Sequence, residues 1–153
     1  MSEGMTEVIV AETGEGSYTQ AVTAGNHTLT ADEPLDKGGL DKGPNPFEFL
    51  LGALGACTTM TIRMYADRKG WPVEKVSVKL THSKVEEMGN EIVDVITRDV
   101  TLEGKLDDEQ RQRLLEIANK CPVHGPIPRA IRTISGIPLT TPGVILSWPM
   151  MPA

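Results

Sequence analysis

The chain has 153 residues, a length that fits one domain and is sufficient for a hydrophobic core of its own. Its 15 basic and 21 acidic residues give a net charge of −6, which argues against a nucleic acid or an anionic membrane surface as partner. The two cysteines are too few for a disulfide-stapled secreted fold. The sequence shows neither a secretory signal nor an uncharged stretch long enough to span a membrane. We therefore expect a single domain over residues 1–153 in the cytoplasm.

The amino-terminal part is predicted to form an antiparallel meander of three short strands. The strands cover residues 7–11, 18–23 and 27–31, and turns containing glycine separate them. A charged loop rich in glycine and proline follows over residues 32–44. A loop of this length within a compact domain is often functional.

A long helix is predicted to begin after Asn45. Asn45 suits the N-cap, Pro46 the first helical position, and Glu48 the third, where it can complete a capping box. Residues 49–62 carry no charge, which indicates a helix buried on most sides. Glycines and alanines at residues 52, 53, 55 and 56 leave part of it bare, so a second helix can approach closely. A glycine and a proline should end the helix near residue 69.

The carboxyl-terminal part predicts two long strands and a second helix. Residues 73–82 and 91–103 read as strands around a turn at 86–90, and Arg98 falls on the apolar face of the second strand. Asp107 suits the N-cap of the helix, whose apolar face should end at Cys121, because Pro122 stops it. A last strand is predicted at residues 131–139, and the segment 142–153 is left without an assignment.

The two cysteines allow two interpretations. Both Cys57 and Cys121 fall at helix positions that face the predicted core, and free cysteines are frequently ordinary buried residues. Alternatively, they form a peroxidatic and a resolving thiol that close a reversible disulfide. The spacing of the residues does not show whether the two thiols meet in space.

Two motifs resemble those of the osmotically inducible protein C (OsmC) family, which includes the organic hydroperoxide resistance (Ohr) proteins. The first is GPNPFEFLLGALGACTTMTIRMYADRKGWP, and the second, about fifty residues later, is GKLDDEQRQRLLEIANKCPVH. The resemblance covers roughly residues 26–136 and is to the OsmC-like branch. It implies an α+β fold made by an intertwined homodimer, in which two central buried helices are wrapped by antiparallel sheets.

The resemblance also implies a cysteine-based hydroperoxide reductase that serves in oxidative stress defence. Organic hydroperoxide would oxidise Cys57 to a sulfenic acid, and Cys121 would condense with it to form a disulfide. A dithiol reductant would restore the pair without a metal, haem or flavin cofactor. The alternative is a non-catalytic module on the same fold that binds or carries a small molecule and has structural cysteines.

The sequence departs from the resembled enzymes in its activating groups. A thiolate must attack the peroxide, and the Ohr-like enzymes hold it beside an arginine of the amino-terminal strands and a carboxylate directly after the Asn-Pro pair. Here no arginine precedes Arg63, and Phe47 follows Pro46. Glu48 comes one position later, about 180° around the helix from Cys57, so it either caps the helix or takes part in the site.

Two residues are candidates for the missing cation. Arg98 is the first, since an arginine on an apolar strand face would need a carboxylate partner there. His27 is the second, because the amino-terminal strands should approach the site. The Cys121 and His124 pair has metal-ligand spacing, but a lone C-x-x-H is weak evidence, so no metal site is expected and His124 is expected to orient the turn after the second helix.

Overall fold

The computed structural model describes residues 6–127 and 131–136, and within 131–136 the backbone only. In chain order the helices and strands are β1 (Val8–Glu12), β2 (Gln20–Ala24), β3 (His27–Ala31), α1 (Pro46–Lys69), β4 (Val73–Glu87), β5 (Glu91–Gly104), α2 (Asp108–Ala118) and β6 (Ile131–Gly136). The α+β class is confirmed. The contacts divide the chain into two compact units, Met1–Ala56 and Cys57–Ala153, which are described separately. The single domain over residues 1–153 stays a prediction.

The first unit contains the predicted meander. Strands β1, β2 and β3 form an antiparallel sheet in that order, with Val10 opposite Val22 and Val22 opposite Leu29. The chain then forms the loop 32–44, which includes a short 3-10 helix at Leu35–Lys37. Helix α1 begins with the predicted capping box: Glu48 N–H donates to Asn45 Oδ1 at 3.0 Å, and Asn45 N–H donates to Glu48 Oε2 at 2.8 Å.

The loop is organised around the buried carboxylate of Asp32, which the sequence analysis did not single out. Its oxygens accept hydrogen bonds from the Thr19 hydroxyl at 2.9 Å and from the backbone N–H groups of Glu33, Leu40 and Lys42 at 2.8, 3.3 and 3.3 Å. Burial alone would raise the pKa of Asp32, but these hydrogen bonds outweigh it and hold the pKa below 3.8. The charged carboxylate therefore stabilises the loop.

This geometry predicts that the loop 32–44 loosens in acid. Because the folded-state pKa of Asp32 is lowered, its contribution is present above the unfolded value of 3.8 and is lost as pH falls through the folded value. Amide exchange measured by NMR should show the Leu40 and Lys42 amides losing protection over that fall in pH. Asp32→Asn should abolish this pH dependence, whereas Glu33→Gln, the neighbouring control, should preserve it. If the amides of Asp32→Asn lost protection over the same fall in pH as those of the wild type, this role of Asp32 would be contradicted.

The second unit is built on a long hairpin. Strand β4 pairs antiparallel with β5 from Val73 to Glu87, beyond the predicted end at residue 82, because the ladder with β5 continues to the turn at residues 88–90. Strand β6 pairs parallel with β5, and residues 137–139 of the predicted last strand lie outside the described residues, as does the segment 142–153. The core cluster draws on α1, β4, β5 and α2 and consists of Ile62, Ala66, Val73, Val100, Leu102, Leu114 and Ala118.

Helix α1 is long and apolar enough to cross a membrane by length and composition, with a mean hydropathy of 1.2 in its most apolar 18-residue window. The uncharged stretch at residues 49–62 is by itself too short for a span, whereas the whole helix has 24 residues. Core helices of soluble proteins share this length and composition, so this is weak evidence for a membrane span. Only 28% of the window is buried, so much of this apolar helix is exposed.

Candidate functional site

Cys57 lies about three turns into α1 and is partly exposed. A helix dipole acts only within the first turn, so the start of α1 is too far along the chain to stabilise a thiolate there. Any activation of Cys57 must come from a charged or polar side chain. The second unit, which begins at Cys57, brings such side chains together.

Cys121 lies beyond helix α2, and the prediction that it ends that helix is wrong. The helix ends at Ala118 with Asn119 as C-cap, because the last turn tightens and Lys120 N–H donates to Ile117 O at 2.9 Å. Cys121 begins the next turn, in which His124 N–H donates to the Cys121 carbonyl oxygen at 3.1 Å. The cysteine is still buried, with 2% of its surface exposed. Its packing was therefore predicted correctly and its secondary structure was not.

Arg98 occupies the buried face of β5, as the alternation of residues predicts. It is fully buried, and its register partner is Leu80 on β4. Nη1 donates to Thr58 Oγ1 at 3.0 Å and to the Ala118 carbonyl oxygen at 3.1 Å, and Nη2 donates to Asn119 Oδ1 at 2.7 Å. Nε, also buried, has no hydrogen-bond partner within the part of the chain that the structure describes. The guanidinium thus joins the middle of α1 to the end of α2.

The expected carboxylate partner of Arg98 is not found among residues 6–127. Among residues 6–127, the ion pairs do not include Arg98, and its acceptors are a hydroxyl, a carbonyl and an amide oxygen. These neutral acceptors satisfy N–H groups but do not neutralise a buried charge. The sequence pattern revealed the buried cation, but it did not reveal what would pair with it.

Among the described residues, the acidic groups that interact with Arg98 are the two thiols. Burial lowers the pKa of Arg98, and the lowering is opposed by Cys121 first and by the charge of Cys57 second. Cys121 raises the pKa of Arg98 more than Cys57 does. A buried guanidinium beside two thiols is a group that can stabilise negative charge as it develops on a sulfur during reaction.

Two further site residues were missed by the sequence analysis. Thr58 is fully buried, and its hydroxyl donates to Cys121 Sγ at 3.8 Å while accepting from Arg98. Asn119 accepts from Arg98 through its side chain, and its carbonyl oxygen lies 3.1 Å from His124 Nδ1. A polar Thr58 inside the uncharged stretch of α1 was the available signal, since a buried hydroxyl requires a partner.

The other candidate residues have local partners. One oxygen of Glu48 serves the capping box, and its side chain is exposed, so a part in the reaction stays a prediction. His27 is exposed at the start of β3, and its role as second cation also stays a prediction. His124 orients the turn after α2 through its contact with Asn119, as expected. Arg63 donates to the backbone carbonyls of Val73 and Glu74 at the start of β4.

The described residues contain no group of three or more histidine, cysteine, aspartate or glutamate side chains placed to hold a metal ion. His82, the remaining histidine, lies 2.7 Å from Asp94 across the hairpin, between Nε2 and Oδ1. The chemistry that this part of the chain offers is therefore that of two thiols, a guanidinium and neutral hydrogen-bonding groups.

Comparison with known proteins agrees with this fold and places it in a family. Residues 39–134 match the model of the family described as OsmC-like protein. Among solved structures, an OsmC-like protein of Mycoplasma pneumoniae is 15% identical with a TM-score of 0.73, the match covering 88% of this chain and 96% of that one. An organic hydroperoxide resistance protein OsmC of Legionella pneumophila is 18% identical with a TM-score of 0.68, covering 90% and 98%.

A third structure, named as an osmotic stress induced and detoxification response protein of Psychrobacter arcticus 273-4, is 20% identical. Its TM-score is 0.73, and the match covers 88% of this chain and 97% of that one. No curated protein matches the chain. At these identities the structures show the fold, whereas the family match, which spans more than half of the chain, shows membership. The resemblance drawn from the two motifs is thus confirmed, and the chain belongs to the OsmC-like protein family.

Proposed function

We propose that the protein is a cysteine-based peroxidase that reduces organic hydroperoxides in oxidative stress defence. The observation that carries the proposal is the fully buried Arg98, which has electrostatic interactions with both Cys57 and Cys121 and neutral hydrogen-bond acceptors around it. Two similar structures, from Legionella pneumophila and Elizabethkingia anophelis, are named organic hydroperoxide resistance proteins, which supports the choice of substrate class.

The proposed reaction begins at Cys57, the more exposed of the two thiols. Its thiolate attacks the terminal peroxide oxygen, so that an S–O bond forms while the O–O bond breaks and the alkoxide leaves as alcohol after taking a proton. The Cys121 thiolate then attacks the Cys57 sulfenic acid. An S–S bond forms, and the hydroxide that leaves is protonated to water. An external dithiol reduces the disulfide and returns both thiols.

The test measures thiols against added cumene hydroperoxide. The reduced protein should lose both thiols with one equivalent of hydroperoxide consumed per disulfide, and peptide mass spectrometry should find Cys57 joined to Cys121. Dithiothreitol should restore both thiols. If both thiols survive excess hydroperoxide in the folded protein, the peroxidase proposal fails. The cysteines would then serve packing, as in the alternative of a module that binds or carries a small molecule.

We further propose that the protein acts in the cytoplasm as a homodimer in which the Cys57-bearing helices approach each other. Four exposed residues of α1 without charge, Ala53, Ala56, Met60 and Met64, recur at spacings that place them along one stripe of the helix. Met60 and Met64 are each 64% exposed. Small side chains followed by methionines suit close contact with a second helix. A second copy would bury the apolar surface of α1.

The dimer predicts a mass of about twice 16.6 kDa by light scattering of the wild type at micromolar concentration. Met60→Glu should give a monomer of 16.6 kDa, because a symmetric interface would bury two carboxylates close together. Met88→Glu is the matched control, since Met88 is fully exposed at the hairpin turn, and it should stay dimeric. A monomeric wild type would refute the dimer.

A further inference from the structure

Thr58 is a buried polar residue that contacts both Arg98 and Cys121. It directly follows Cys57 on α1, and none of its surface is exposed. Its Oγ1 accepts a hydrogen bond from Arg98 Nη1 at 3.0 Å and donates to Cys121 Sγ at 3.8 Å. The hydroxyl therefore connects the cation to one particular thiol.

The thiol in contact with Thr58 is the buried one. Cys121 is 2% exposed, whereas Cys57 is partly exposed, so a hydroperoxide arriving from solvent reaches Cys57 more readily. Arg98 interacts electrostatically with both thiols, and the interaction with Cys121 is the larger. The Thr58 hydroxyl, which is itself held by Arg98, thus contacts the sulfur that, under the proposed function, acts second.

We propose that Thr58 is a positioning residue for the resolving step, and this inference rests on the proposed peroxidase function. Its hydroxyl, fixed by Arg98, aims the Cys121 sulfur at Cys57 and stabilises negative charge on that sulfur as it attacks. In this step the Cys121–Cys57 S–S bond forms, the S–OH bond of the Cys57 sulfenic acid breaks, and the departing hydroxide takes up a proton to become water. Thr58 exchanges no atoms with either thiol.

The first experiment separates the two chemical steps in Thr58→Val, which keeps the branched shape and removes the hydroxyl. Rapid quenching after cumene hydroperoxide, with dimedone to trap sulfenic acid, should show sulfenic acid forming within about twofold of the wild-type rate. Disulfide formation should slow by at least about tenfold, so that trapped sulfenic acid accumulates. Thr58→Ser, which keeps the hydroxyl, should restore the second step. Equal slowing of both steps, or of neither, would overturn the inference.

The second experiment needs no hydroperoxide, so it distinguishes failure of this inference from failure of the peroxidase proposal. With Cys57→Ser as background, Cys121 is the single thiol, and its attack on the disulfide of 2,2′-dithiodipyridine reproduces the resolving chemistry. Adding Thr58→Val should slow this exchange by at least about tenfold in the folded protein, and Thr58→Ser should not. In urea the three proteins should react alike. Equal rates in the folded proteins would overturn the role of Thr58 whatever the outcome with hydroperoxide.

Discussion

Cys57→Ser is expected to abolish the oxidation of the protein by organic hydroperoxide. A serine hydroxyl does not become an anion near neutral pH and forms no sulfenic acid, so the first step has no nucleophile. Cys121 should then stay reduced, because it is buried and has no oxidised partner to attack. The measurement is the thiol content after cumene hydroperoxide, followed by mass spectrometry of the peptide that contains Cys121.

Cys121→Ser is the complementary variant and should stop the reaction one step later. Cys57 should still be oxidised, and its sulfenic acid should persist long enough to be trapped with dimedone, because no resolving thiol remains. The reverse pattern, with sulfenic acid on Cys121 in Cys57→Ser and none in Cys121→Ser, would exchange the roles of the two cysteines. Cys57→Ser should unfold near the temperature of the wild type, because Cys57 is partly exposed and the exchange changes little volume. Cys121→Ser buries a hydroxyl and should unfold at a lower temperature.

The parts of the site that depend on local sequence could be predicted. The capping boxes at Asn45 with Glu48 and at Asp107 with Gln110 depend on residues three positions apart, and both form. The alternation of β5 placed Arg98 among buried residues, because successive side chains of a strand point to opposite faces. The burial of Arg98 followed from such short-range periodicity, whereas the α+β class was implied by the resemblance to the OsmC family.

The parts that depend on three-dimensional convergence could not be predicted. Thr58, Arg98 and Asn119 lie on α1, on β5 and at the end of α2, and only packing brings their polar atoms within 3.0 Å of one another in successive hydrogen bonds. Within residues 6–127 the hydrogen-bond acceptors of Arg98 are neutral, whereas the sequence analysis expected a carboxylate. Sequence chemistry indicates that a buried guanidinium needs partners, but several residue types can supply them.

The residue at which α2 ends could not be predicted from the sequence either. Pro122 correctly excludes helical backbone at Cys121, yet the last turn tightens earlier and Asn119 becomes the C-cap. This early end has a consequence for the site, because it leaves the Ala118 carbonyl and the Asn119 side chain available to Arg98. Ala118 lies in the last turn of the helix, where carbonyl oxygens have no intrahelical donor, and Arg98 supplies one.

Arg98→Met is expected to slow hydroperoxide-dependent thiol oxidation by at least about tenfold, equivalent to about 1.36 kcal/mol. Methionine fills much of the same volume without charge, so the thiols lose the cation that offsets their negative charge. Under the proposed mechanism Arg98 interacts with both sulfurs, and the loss should therefore appear in sulfenic acid formation as well as in disulfide formation. This distinguishes Arg98→Met from Thr58→Val, in which the second step alone should slow.

The stability of the variant must be checked, because the substitution leaves acceptors on Thr58, Ala118 and Asn119 without their donor. Each acceptor that loses its donor lowers the free energy of unfolding by about 1–3 kcal/mol. This loss is partly offset because the variant no longer buries a charge. Arg111→Met is the matched control: Arg111 donates to the carbonyls of Leu102 and Gly104 and has no described contact with a thiol, so oxidation should proceed at the wild-type rate.

A folded Arg98→Met dimer that oxidises at the wild-type rate would refute Arg98 as the activating cation. It would leave His27 as the remaining candidate, and His27→Gln would then be the variant expected to slow the reaction.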